Sequence, residues 1–479
     1  MRNKLLAAAL LSAPLAACSM APTYRPPETA VPPAYKEVAG WTVATPLDAV
    51  PKGAWWEAFG DPVLNDLETR AEKASPTLAA ALARYDQARA TARIDSSDLF
   101  PTVSGGGDAT RSRISAHAPN NSSGLPKTGN DFSVGATLDY ELDLWGRIRN
   151  TVKAARADAD ASGADLASAR LSLQSSVADA YVRLRGLDAE AELLRRTVEA
   201  FGKAYDLTAT RHDGGIASGI DVNRAKTTLG NARAQISAIA SDRAATEHEL
   251  AALVGAVSSD FSVAPRVQPL TAPEIPPGTP SELLQRRPDV AAAERRIFAA
   301  NARIGVAKAA FFPTLTLGLG GGWETTQGSL LKAPNSFWAL GPASAVLTLL
   351  DGGRRRAEVK LSRGQYDEMA ADYRDTVLTA FRQVEDGVAA MRYLATQTVD
   401  QSYAADAAQR TSDLALTRYK DGASDYLEVV TAQTDALTAQ RALLTVQTQR
   451  MRTSVALVKA LGGSPSATGT IGRAGAGQP

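Results

Sequence analysis

The chain of 479 residues sets 52 Lys and Arg against 51 Asp and Glu, a formal charge of +1, so bulk electrostatics give no case for a nucleic-acid partner. Its one cysteine, Cys18, excludes an internal disulfide and a thiolate-rich zinc site, and His117, His212 and His248 show no paired ligand spacing. Apolar residues reach 44% with aromatics at only 6%; this alanine-rich profile suits long helices packed through small side chains and excludes a disordered chain.

Arg2 and Lys4 precede an apolar run, Leu5 to Ala17, broken only by Ser12 and Pro14. The run is shorter than the about 20 residues that span a bilayer, and residues 1–17 fit a secretory signal. It ends Leu15-Ala16-Ala17-Cys18, which resembles the bacterial lipobox, where cleavage precedes a cysteine that is then acylated. Ser19 follows, not the aspartate that in many bacteria retains a lipoprotein on the inner membrane. The alternative is an ordinary signal whose cysteine happens to follow small residues. No later segment reads as a transmembrane helix, so a membrane crossing by this chain requires a closed β-barrel.

Prolines mark the layout. Seven of them between 19 and 54 read as an extended arm, and six between Pro265 and Pro280 read as a linker. The Gly/Ser/Ala-rich tail, 463–479, reads as disordered. The segments flanking the linker repeat each other. Leu99-Phe100-Pro101-Thr102-Val103 recurs as Phe311-Phe312-Pro313-Thr314-Leu315. Arg211-His212-Asp213-Gly214-Gly215 matches Arg418-Tyr419-Lys420-Asp421-Gly422, and Ile220-Asp221-Val222 matches Leu427-Glu428-Val429, both 207 residues apart. One architectural unit is used twice, at 76–255 and 288–462, either side of the linker at 256–287.

Each repeat reads as a helix, two strands, a very long helix, a tight turn and another long helix. Strands are expected at about 101–110, 131–144, 313–324 and 336–349. In the clearest, Phe132, Val134, Ala136, Leu138, Tyr140, Leu142 and Leu144 share one face, and Ser133, Gly135, Thr137, Asp139, Glu141 and Asp143 share the other. Asp139, Glu141 and Asp143 then line a solvated lumen wall; as a metal or acid/base cluster they lack a nucleophile, and Gly318–Gly322 lacks the helix start and Lys of a phosphate loop. No enzyme is expected.

Long helices are expected at 148–211, 218–253, 354–420 and 424–461, with shorter ones at 76–99 and 288–311. Leu173, Val177, Ala180, Leu184, Leu187, Ala191, Leu194, Val198, Phe201 and Tyr205 alternate in steps of four and three, a coiled-coil seam. The seam continues from Val222 to Leu253, with Arg243 and Thr246 as its weak points, and Val430, Leu437, Leu444, Met451 and Val458 recur in the second repeat. Each repeat can build two columns of roughly 90–100 Å, one continuous and one in two pieces. Four strands cannot close a barrel; two chains would give eight and three would give twelve, and the physics of the sequence leaves both open.

Several stretches carry a family resemblance: Trp55-Trp56, Phe59 and Asp61-Pro62; Tyr140-Glu141-Leu142-Asp143-Leu144-Trp145-Gly146-Arg147; and Leu283-Leu284-Gln285-Arg286-Arg287-Pro288-Asp289-Val290, with Glu294 and Ala300-Asn301-Ala302-Arg303-Ile304-Gly305 through Phe311-Phe312-Pro313. In these the chain resembles the outer membrane factors of tripartite efflux and secretion systems, the TolC and OprM type, and most closely the lipoprotein branch labelled NodT. The resemblance covers about residues 15–462. It implies a mainly α fold with a small β-barrel part: a homotrimer with a twelve-strand outer-membrane barrel and a twelve-helix periplasmic tunnel, residues 18–75 forming the lipidated arm and equatorial region. It also implies a passive duct for small molecules that works with a periplasmic adaptor and an inner-membrane RND-type transporter, its only non-protein group a covalent lipid at Cys18.

The resemblance further places a closed gate and adaptor-docking tips at the two turns. By the register of Gly422, Leu427 takes an apolar gate position and Glu428 the first acidic one; Thr431 stands where a second acid is expected. Tyr419 matches a latching tyrosine whose arginine partner is replaced by Ser424. Ile220 and Asp221 are the first-repeat counterparts of the gate pair. The docking tips are Arg211, Gly214, Gly215, Arg418, Asp421, Gly422 and Asp425. Glu428 also reads more plainly as a helix-start carboxylate favoured by the dipole. A duct for type I protein secretion is one alternative. A non-conducting periplasmic coiled-coil lipoprotein is the other, opposed by the alternating strands and by the polar loops expected at 111–130 and 325–335.

Overall fold

A computed structural model describes residues 19–27, 53–117, 119, 127–267, 286–326 and 329–463. Cys18, the signal, most of the proline arm and linker, and the tail after Gly463 lie outside the described residues.

The chain is mostly helical with one small sheet. In order come α1 (Pro62–Ala74), α2 (Pro76–Ser97), β1 (Thr102–Ile114), β2 (Lys127–Leu142), α3 (Arg147–Asp213), α4 (Gly219–Leu253), α5 (Pro288–Ala309), β3 (Thr314–Thr325), β4 (Ser336–Val346), α6 (Arg354–Lys420) and α7 (Tyr426–Ala460). The duplication is metrical: α2 and α5 have 22 residues each, α3 and α6 have 67, and α4 and α7 have 35. Among the described residues no helix is long and apolar enough to cross a membrane.

Contacts divide the described residues into two compact units, one holding those of 19–27, 84–163 and 292–374 and the other the rest. The first contains the sheet, antiparallel in the order β1-β2-β3-β4. Its register sets Val103, Leu138, Leu319 and Leu340 side by side on one face, and Ser104, Thr137, Gly320 and Ala339 on the other. The apolar face is solvent-exposed in the single chain: Leu319 is 44% and Leu340 82% exposed. β1 and β4 each leave one edge unpaired within the sheet.

Element ends differ from the sequence reading where pairing overrides hydrophobic pattern. β1 runs on to Ile114, and β2 starts at Lys127, because Arg111-Ser112-Arg113 continue the ladder against Thr128, Gly129 and Asn130 although no apolar alternation remains. The polar loop expected at 111–130 is shorter accordingly. β4 stops at Val346, short of 349, because its partner β3 begins at Thr314, just after Pro313. β2 stops at Leu142, which removes Asp143 and Leu144 from the strand.

In the second unit the seam is buried as its period requires. Leu173, Val177, Ala180, Leu184, Leu194 and Phe201 are all under 10% exposed, and Leu194 and Phe201 join Leu229, Ala232, Ile239 and Leu437 in one cluster. The opening motif sits in the largest core cluster: Trp55, Trp56 and Phe59 pack with Leu64, Leu67 and Tyr181. Asp61 caps α1 by accepting from Val63 N at 2.8 Å and accepts the Tyr181 hydroxyl proton at 2.7 Å.

Arg243, a break in the apolar seam, belongs to a buried ionic knot. Asp188, 2% exposed, accepts from Arg185 at 2.8 Å, from Arg243 at 2.8 Å and from the Arg266 amide at 3.0 Å. Arg243 also reaches Glu247 and the Val263 carbonyl, and Arg185 the Ala264 carbonyl. The knot ties residues 263–266 to α3 and α4.

Candidate functional site

The two turns joining the long helices have one backbone design. Ile216 N donates to Arg211 O and Gly215 N to His212 O, each at 2.8 Å; 207 residues on, Ala423 N donates to Arg418 O at 2.8 Å and Gly422 N to Tyr419 O at 3.0 Å. This is the Schellman pattern, and Gly215 (φ 75°) and Gly422 (φ 77°) occupy its left-handed position, which a Cβ would strain. Each following helix opens on a capping side chain. Ser218 and Asp221 form a reciprocal capping box, and Asp425 Oδ1 accepts from Glu428 N at 3.1 Å. Glu428 is thus the third residue of α7, as Asp221 is of α4.

The apolar counterparts Leu427 and Ile220 are solvent-exposed in the single chain, at 47% and 65%. Glu428 is not a bare carboxylate, because Arg418 Nε lies 3.7 Å from its Oε1. Arg418 also donates to the Ala423 carbonyl, so its side chain folds over its own turn.

Tyr419 is buried between the helices. Its hydroxyl lies 3.2 Å from Thr208 Oγ1, and its ring meets Tyr426 edge-on with centroids 5.7 Å apart. The Arg211 guanidinium sits 4.5 Å above the Tyr419 ring and donates to the Lys420 carbonyl. Arg211 thereby joins the first turn to the end of α6. Tyr426 is also buried, and desolvation, with Tyr419 and Asp221 nearby, pushes its pKa up to about 12. Of the tip residues, Gly214, Gly215, Arg418, Asp421, Gly422 and Asp425 are exposed and Arg211 is half-buried.

The three expected lumen carboxylates separate into different roles. Asp139 is exposed and without a side-chain partner among the described residues. Glu141 is held in a two-point fork by Arg147, Nε at 2.8 Å and Nη2 at 2.7 Å. Asp143, beyond the strand, caps α3 by accepting from Ile148 N and Arg149 N. Two of the three therefore anchor the strand-to-helix junction, which corrects the reading of a uniform polar wall.

The Arg-Arg-Pro-Asp stretch has a structural task. Arg287 pairs with Asp289 and donates to Gln383 and to the Ala460 carbonyl at the end of α7. Sequence reading passed over the knot around Asp188, although Arg243 interrupting an apolar period is its visible signal.

The family model described as outer membrane efflux protein matches residues 67–256 and 279–463. The chain belongs to this family. It is 32% identical over 469 residues to the probable efflux pump outer membrane protein TtgC of Pseudomonas putida, covering 97% of this chain and 96% of that one. It is 31% identical over 463 residues to the outer membrane protein OprJ of Pseudomonas aeruginosa, covering 96% and 95%. The solved CmeC outer membrane channel of Campylobacter jejuni superposes with a TM-score of 0.84 at 25% identity, over 93% of this chain and 95% of that one. The protein is an outer-membrane efflux component that extends into the periplasm, from a family of transport channels.

Proposed function

We propose that three copies of this chain close into one passive duct, twelve strands in the outer membrane and twelve long helices in the periplasm, that conducts small molecules delivered by an adaptor and an inner-membrane RND-type transporter. The observation that carries the reading is the sheet. It has four strands, one apolar face exposed to solvent and two unpaired edges. Unpaired edges are not tolerated in hydrocarbon, and four strands cannot close alone. Three copies remove every edge and leave a lumen, whereas eight strands would fill with side chains.

Cys18 carries acyl chains after signal removal. Leu427 and Glu428, with Ile220 and Asp221, narrow the periplasmic mouth, and the turns 211–219 and 418–426 present the surface that meets the adaptor. Arg211, Gly215, Arg418 and Gly422 shape those turns and Asp425 caps the second. Tyr419 serves as a buried brace, a different part from the latch that family resemblance implied for it.

Purified protein tests the reading in two measurements. Its mass in detergent should be that of a trimer, and planar bilayers should show discrete ionic conductance. A monomer without conductance would return the protein to the non-conducting alternative. The intact mass of the mature chain should show a lipid-modified Cys18.

A further inference from the structure

Arg149, Lys153, Arg156 and Asp160 of α3 recur 207 residues on as Arg356, Lys360, Arg363 and Asp367 of α6. Of the residues between them only Val152 and Val359 agree. Steps of four, three and four keep such a set on one face of a helix, so each long helix carries the retained positions as a stripe. Both stripes start in the first turn, where α3 follows β2 and α6 follows β4, and both reach about 14 Å along the helix. Arg149 is committed to Asp143. Lys153, Arg156, Arg356, Lys360 and Arg363 are exposed and make no hydrogen bond or ion pair among the described residues. Other exposed cations of the same helices, Arg196, Lys203 and Arg382, are each matched by a carboxylate four residues away. A merely solvated face is free to vary, and the residues around these positions did.

The neighbours of α3 decide which side its stripe takes. Ala154 and Ala157 cluster with Ala299 and Ala302 of α5, and Ala155 and Ala159 with Ala92 of α2. Two sides of the helix remain. Arg147 and Asp158 occupy one, with Arg147 holding Glu141 from the wet row of β2. At about 100° per residue, Lys153 and Arg156 lie nearly opposite, below the apolar row. α6 has the same length and register as α3, so its stripe holds the same relation to β4. Helix side chains lean toward the N-terminus, which on both helices is the end beside the sheet. The cationic heads are therefore aimed at the layer directly beneath the apolar surface. Aromatic rings mark that junction: Trp145 stacks on Phe312 with centroids 4.6 Å apart and donates Nε1 to the Pro313 carbonyl at 2.9 Å, the amphipathic use of tryptophan that a membrane interface favours.

We propose that the two stripes bind the phosphate headgroups of anionic phospholipids in the periplasmic leaflet of the outer membrane. This rests on the reading, proposed above, that the apolar sheet face lies in hydrocarbon. The headgroup layer then begins where the strands end, within reach of side chains whose stems lie along the helix and whose charged heads point up. The five unpaired cations and the carboxylates of Asp160 and Asp367 leave a net positive face on each chain. That charge favours an anionic headgroup over a zwitterionic one.

The test uses the full chain in phosphatidylcholine vesicles that carry a trace of spin-labelled phosphatidylglycerol or, in a parallel sample, spin-labelled phosphatidylcholine. The motionally restricted fraction of each label measures its association with the protein surface. Phosphatidylglycerol should be preferred about threefold or more, and added salt should shrink the preference. Changing all five cations together, Lys153→Gln, Arg156→Gln, Arg356→Gln, Lys360→Gln and Arg363→Gln, should bring the two labels to near parity at unchanged helical circular dichroism. Arg196→Gln with Lys203→Gln, far down α3, should leave the preference intact. Equal restricted fractions in the parent, a preference that survives the five changes, or one lost equally in the distant pair overturns the headgroup sites and leaves the barrel reading standing. No restricted fraction with either label overturns both.

Discussion

Arg418 Nε and Glu428 Oε1 stand 3.7 Å apart across the second turn, both side chains about half exposed. An exposed pair of this kind contributes about 0–1 kcal/mol to stability, so its weight lies in the charge it sets at the tip. Three bare carboxylates at a trimer axis would form a cation-attracting ring, and a guanidinium beside each one partly cancels that field.

Removing either partner should therefore shift ion selectivity in opposite directions. Arg418→Ala should raise cation selectivity and strengthen block by multivalent cations, whereas Glu428→Ala should lower both. Leu427→Ala should make the resting duct leak. Reversal potentials in a salt gradient and single-channel records check all three; identical values in the parent and all variants would place the constriction elsewhere.

The sheet faces predict unequal tolerance to charge. Leu138 lies in the apolar row with Val103, Leu319 and Leu340, and Thr137 lies in the opposite row. Leu138→Arg should cost about 2–4 kcal/mol near the midplane of the bilayer. Thr137→Arg should fold normally and change conductance. Folding yield into lipid vesicles measures the first, and bilayer recordings the second.

Glu68 on α1 is fully buried, with neither carboxyl oxygen partnered among the described residues. Burial, reinforced by Glu72, pushes its pKa from 4.5 to about 9. Below pH 4.5 the group is neutral in both folded and unfolded chains. Above it the unfolded chain ionises first and binds fewer protons, so stability falls as pH rises from 4.5 to about 9. The loss should reach about 3 kcal/mol by pH 7. Denaturant midpoints at pH 5 and pH 8 should differ in the parent by more than in Glu68→Gln, which cannot ionise. An equal pH dependence in both would show that Glu68 is not the group responsible.

Asp188 compensates the buried guanidinium of Arg185 and the partly buried one of Arg243. Asp188→Ala should cost about 3–5 kcal/mol, because both cations are left without their shared carboxylate. The tied residues 263–266 should also become protease-sensitive before the helices melt. Limited proteolysis followed by mass spectrometry distinguishes that local release from global unfolding.

The repeat, the helix lengths, the seam and the two-faced strand are properties of spacing, and spacing is written in the chain itself. A residue recurring every three or four positions faces one side of a helix wherever that helix is placed, and alternation does the same for a strand. That is why 354–420 was legible to the residue as α6 and why the 207-residue offset reappears as two identical turns. Partnerships of charge and shape are not periodic. Glu141 and Asp143 look like neighbours on a wet face until α3 begins and takes both as anchors. Arg243 looks like a defect until Asp188, 55 residues away, meets it. Gly305 looks like one glycine among many until Ala21 occupies its missing side chain. Hydrogen bonds and close contacts act over about 3–4 Å, so only the tertiary structure, which brings distant residues within that range, decides them.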